Sequence, residues 1–80
     1  MDTHEQVKVR KALGEKLRKA RESAKLTQLD VATAAGVHVN FYARMERGEE
    51  NPSFEKLQSV MKVLAIKSLE LLWVSQQTKK

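Results

Sequence analysis

Two histidines, His4 and His38, are the side chains best suited to moving a proton near neutral pH, and they lie far apart in the chain. There is no cysteine, so no thiolate nucleophile, no thiolate metal ligand and no disulfide. No glycine-rich phosphate loop and no spacing of metal ligands occurs. The pattern does not read as an enzyme, and no catalytic residue, metal or cofactor is expected. What the chain does carry is positive charge. Fifteen Lys and Arg face ten Asp and Glu over 80 residues, a net charge of +5. Most of the excess lies in residues 1–48, where Lys8, Arg10, Lys11, Lys16, Arg18, Lys19, Arg21, Lys25, Arg44 and Arg47 outnumber six acids. A basic half is the electrostatic footprint of a polyanion binder, and it equally suits an anionic membrane or a merely soluble basic surface.

These charges need elements to position them. Three glycines and one proline are too few for an all-β chain. No apolar run approaches the ~18 residues of a membrane span, and no signal peptide is apparent. The reading is all-α: a single domain over 1–80, its core about 7–74, with flexible termini. Thr3 starts a first helix, with Gln6 in the capping-box place. Val9, Leu13, Leu17, Ala20 and Ala24 form its apolar face, and it ends near Lys25. Gly14 within it costs about 1 kcal/mol relative to alanine.

Thr27, with Asp30, caps a short second helix through Val31, Ala32 and Ala35, which Gly36 stops in a left-handed conformation. A third helix spans about His38 to Arg47 and stops at Gly48. After the loop Glu49-Glu50-Asn51-Pro52, Ser53 caps a fourth with Phe54, Leu57, Val60, Met61 and Leu64 at helical spacing. A fifth begins near Ser68 and carries Leu69, Leu71, Leu72, Trp73 and Val74. Ala32 and Gly36 supply little bulk where the second and third helices cross, as a helix-turn-helix needs, although an ordinary helical hairpin uses the same residues.

The stretch from Leu26 to Gly48 reads LTQLDVATAAGVHVNFYARMERG. It resembles the Cro/repressor-type helix-turn-helix family, also termed the xenobiotic response element family. That family opens on Leu-Thr/Ser-Gln, places Gly-Val at the turn and closes on Glu-x-Gly. The resemblance continues through Asn51-Pro52-Ser53-Phe54 and back into Leu13 to Arg21, covering about 10–72. In length the chain resembles the controller proteins of restriction–modification systems and small phage repressors.

The resemblance implies a compact five-helix, lambda-repressor-like DNA-binding domain whose third helix enters the major groove. His38, Val39, Asn40 and Arg44 match base-facing positions. There Arg44 suits guanine O6 and N7, Asn40 suits adenine N6 and N7, and Val39 suits a thymine methyl. Thr27, Gln28, Phe41 and Arg47 match positions along the phosphate backbone, although Phe41 lacks a hydroxyl to bond with. Tyr42 and Met45 match inward positions, and the Tyr42 hydroxyl is expected to reach water or a partner. Arg21 and Glu46 match a structural pair that ties the first helix to the end of the third. Glu49 and Glu50 are acidic where relatives often carry Lys or Arg, which weakens the case for phosphate contacts from that loop. Leu69, Leu72 and Trp73 are expected at a dimer interface.

The implied function is sequence-specific binding of double-stranded DNA by a cytoplasmic, homodimeric transcription regulator on a palindromic operator. No membrane or small-molecule partner is expected. A membrane-surface protein is the weaker reading, because the apolar face of the first helix would be consumed by the core. An antitoxin, bound mainly to a toxin and using DNA for autoregulation, is the remaining alternative.

Overall fold

The computed structural model describes residues 3–65. They hold four helices and no strand: α1 (His4–Ser23), α2 (Gln28–Ala35), α3 (Val39–Arg47) and α4, over 54–65. The fifth helix expected from Ser68, with Leu69, Leu72 and Trp73, lies outside the described residues.

Local chemistry sets each helix start. The Thr3 hydroxyl accepts from the Gln6 N–H at 3.1 Å, and the Gln6 side chain accepts from the Thr3 N–H at 2.9 Å. Thr27 and Asp30 repeat the arrangement at 3.0 and 2.9 Å. Two N–H groups are thereby satisfied at each of these starts. Ser53 caps α4 by accepting from the Lys56 N–H at 3.2 Å. At α3 the helix begins one residue later than the spacing suggests. His38 is extended, and its ring Nδ1 accepts from the Asn40 N–H at 3.1 Å.

The α1 terminus also differs from expectation. It closes at Ser23, and Lys25 takes φ 60. The Leu26 N–H donates to the Arg21 carbonyl at 3.1 Å and the Lys25 N–H to that of Glu22 at 3.0 Å. A lysine therefore fills the left-handed site that usually falls to glycine.

All four helices meet in one core. α1 supplies Leu17, α2 supplies Val31 and Ala32, α3 supplies Tyr42 and Met45, and α4 supplies Val60 and Leu64. Each large side chain buried this way contributes about 1.5–3 kcal/mol. The apolar faces read from spacing are wider than the buried ones. Val9 on α1 is 58% exposed, and Phe54 and Met61 on α4 are also exposed. The first turns of α1 have no core beneath Val9, so only Leu13, Leu17 and Ala20 of that stripe pack inward.

Gly14 fits α1 against the end of α3. A β-carbon there would lie 2.5 Å from the Met45 carbonyl oxygen and 2.8 Å from the Glu46 carbonyl carbon. The residue read as a small cost to helix formation is the one that lets two backbones touch. Gly36 is the reverse: it sits at φ 73, and a β-carbon there would meet nothing within 4 Å. Its duty is the left-handed turn, and the room expected of it at a helix crossing belongs to Gly14.

Candidate nucleic-acid interface

The turn between α2 and α3 is three residues long, Gly36 to His38. Gly36 closes α2, and the Val37 N–H donates to the Ala32 carbonyl at 3.0 Å. Val37 is half-buried against the core, which pins the turn. His38 then caps α3. α3 is consequently held at its start by a ring nitrogen and in its middle by Tyr42 and Met45.

At its C-terminal end α3 is held by charge. Arg21 Nε donates to Glu46 Oε2 at 2.6 Å, and Arg21 Nη2 to Glu46 Oε1 at 3.1 Å. The bond is bidentate, as the spacing of the resemblance implies. Arg21 Nη1 also donates to the Leu26 carbonyl at 2.9 Å, so the same guanidinium ties α1 to the entry of α2. Gln28 Nε2 donates to Glu46 Oε1 at 2.9 Å. Burial pushes the Glu46 carboxyl up, but hydrogen bonds from Arg21 and Gln28 outweigh it and hold the group below the ordinary carboxylate range. The Arg21 pKa is raised, chiefly by its hydrogen bond to Glu46.

The residues expected to face bases differ in their freedom. Asn40 is exposed, and its side-chain amide makes no hydrogen bond among the described residues. Arg44 is half-exposed, with Nε donating to Glu50 Oε2 at 2.7 Å. His38 is exposed, but one of its ring nitrogens is committed to the cap. Val39 is drawn partly inward, packing against the core cluster, because an isopropyl group at the helix start gains more by burial than by facing water.

The residues expected along the phosphate backbone divide too. Gln28 and Arg47 come together, with Lys11, Glu15, Arg18, Arg21 and Glu46, around a cleft of about 550 Å³ where α1, the α2 start and the α3 end meet, and Glu15 there pairs with Arg18 at 2.6 Å. Gln28 presents there with one of its two amide N–H bonds engaged by Glu46. Arg47 is exposed and pairs with Glu49 at 3.0 Å. Thr27 lies apart on the capping box. Phe41 also turns partly to the core, and the Lys56 ammonium sits over its ring, 4.6 Å from the centroid.

Lys11 and Arg18 line the same cleft and Lys56 covers Phe41, although none of the three is expected at the interface from the sequence. Lys11 and Arg18 were visible as α1 cations, but nothing in their spacing shows which α1 flank meets α3. Lys56 had no signal, since its place depends on how α4 docks. The Tyr42 hydroxyl is only poorly met. Tyr42 is fully buried, and its oxygen has no well-formed hydrogen bond, although it lies beside the Glu46 carboxylate and interacts with it. Burial, then Glu46, pushes its pKa well above the ordinary value.

The sequence model of a family described as helix-turn-helix matches residues 17–72. A curated relative, the HTH-type transcriptional regulator DdrOP3 of Deinococcus deserti, is 40% identical over 60 residues, which is 75% of this chain and 46% of the relative. The chain thus spans about half the length of that relative. The matched residues take in the Gly36 turn, the capped α3 and the Arg21–Glu46 tie, and on these grounds the chain belongs to the Cro/C1-type helix-turn-helix family.

Proposed function

We propose that this chain is a transcription regulator that binds double-stranded DNA, laying α3 in the major groove. The observation that carries this is the placement of Asn40 and Arg44, one turn apart on a helix whose other side is buried, with polar ends available to base edges. The cleft of Lys11, Gln28 and Arg47 supports the reading, since it offers cations and an amide to a phosphate beside the α2 N-terminus. No helix among the described residues is long and apolar enough to cross a membrane.

The proposed active form is a homodimer on a palindromic operator. Its two-fold axis would bring two α3 helices to half-sites about one helical turn apart. Leu69, Leu72 and Trp73 are the proposed interface residues, since large apolar groups clustered within five residues suit a partner surface. Selection of bound sequences from a random duplex pool tests both parts. A palindromic consensus with guanine or adenine at fixed positions is expected, and recovery of no enriched sequence would refute sequence-specific reading.

A further inference from the structure

Gly48 ends α3 at φ 74, and its position cannot take a side chain: a β-carbon would lie 2.7 Å from Lys11 Cγ and 2.8 Å from Lys11 Cα. The Gly48 N–H donates to the Met45 carbonyl at 3.1 Å, and the Glu49 N–H returns to that of Arg44 at 2.8 Å. This closure folds the next two residues back along the helix they have just left. Glu50 therefore arrives beside Arg44, six residues earlier, and accepts from its Nε at 2.7 Å. The pair is partly sheltered, with side chains 42% and 26% exposed, whereas the neighbouring Arg47–Glu49 pair is 56% exposed on both sides.

We propose that Glu50 is a positioning residue for base reading: it holds the Nε edge of Arg44 and leaves the two terminal Nη groups as a fork for guanine. The inference rests on the duplex-reading role given to α3 above. A guanidinium offers donors along two usable edges. Guanine O6 and N7 take the Nη1–Nη2 edge end-on, the edge that Glu50 does not occupy among the described residues. A flexible arginine must otherwise be ordered when DNA arrives, and a carboxylate that orders it beforehand lowers that cost.

Charge argues the same way. Arg44 and Glu50 sum to zero. This pair thus adds no net attraction for phosphates at large. A cation already neutralised gains only where its remaining donors fit a base, which raises discrimination over general affinity. The acidic loop that weakens the case for phosphate contacts is, on this reading, what turns Arg44 from a phosphate seeker into a reader.

The test measures binding of the full chain to its selected duplex and to a random duplex, with base preference scored at each position. Glu50→Ala should lose about tenfold on the selected duplex. It should keep or gain affinity for the random duplex and flatten preference at a single guanine. Glu50→Gln, which retains an acceptor, should restore part of that preference. Arg44→Ala should flatten the same position, with no further loss there when combined with Glu50→Ala. Equal melting temperatures for the Glu50 variants and the parent would exclude a purely structural effect. If Glu50→Ala instead strengthens all duplexes alike with preference intact, Glu50 is a competitor of DNA and the proposal is overturned. It is also overturned if Arg44→Ala leaves preference unchanged, while duplex binding itself stands. Absence of duplex binding by the parent chain would remove the underlying reading as well.

Discussion

The Tyr42 hydroxyl is the one buried side-chain polar atom among the described residues without a well-formed hydrogen bond, although it interacts with the Glu46 carboxylate. A poorly met buried hydroxyl recovers only part of a desolvation cost of about 1–3 kcal/mol. Tyr42→Phe removes the oxygen while keeping the ring that fills the core, so it should leave stability unchanged or raise it by about 1 kcal/mol, read as a urea midpoint. A loss above about 1 kcal/mol would mean that the hydroxyl is satisfied in solution. Glu46 should behave oppositely. Glu46→Ala strands Arg21, and removing one partner of a buried pair costs about 3–5 kcal/mol. Arg21 keeps some access to water, at 13% side-chain exposure, so the low end applies. A fall in melting temperature of more than about 10 °C is expected. The same carboxylate gives a pH signature. Its folded pKa is depressed, so its contribution is fully present above the ordinary carboxylate range and is lost as pH falls through the depressed value. Melting temperature should therefore drop on acidification below about pH 4, and by less in Glu46→Gln than in the parent. Equal acid profiles for the two would show that Glu46 is not the group responsible.

At the scale of elements, α1 to α4 and the caps at Thr3, Thr27 and Ser53 were legible in the sequence because their signals are local. Thr3 with Gln6 and Thr27 with Asp30 need only neighbours three residues away, and Gly36 and Gly48 announce the stops. The Arg21–Glu46 tie was legible through family resemblance. Packing was not legible, because it depends on which flanks meet. Val39 turned inward and Lys56 over Phe41 both follow from docking. Gly14 shows the difference most clearly. Helix propensity alone says that Gly14→Ala stabilises by about 1 kcal/mol. The structure says that the methyl group strikes the α3 backbone, which cannot swing aside as a side chain would. Gly14→Ala should cost at least about 3 kcal/mol, and Gly36→Ala only about 1–2 kcal/mol, the ordinary penalty for a left-handed alanine. Denaturant midpoints of the two variants decide it, and the reverse order would refute the close approach of α1 and α3.

For the whole molecule, the net charge of +5 and the Lys11–Arg47 cleft make phosphate attraction a measurable quantity. If each protomer of a dimer neutralises about three or four phosphates, log K should fall against log salt with a slope of roughly −5 to −7. Lys11→Ala should weaken all duplexes alike and reduce that slope by about 1 per site. Titrations at several salt concentrations check both, and a flat response would exclude a backbone-dominated complex.

The placement of the ties on α3 has a consequence for how such a protein can change. Glu46, Gly48 and the carbonyls against Gly14 anchor its last turn, and Tyr42 and Met45 fill the core beneath. Asn40 carries none of that burden. On the proposed base-reading role, its letter can be rewritten without threatening the architecture, so new target sequences would lie a single substitution away. Arg44 is different, because its companion sits in the loop. Exchanging it alone would leave Glu50 unmatched, so under the same proposal that position should evolve as a two-letter word.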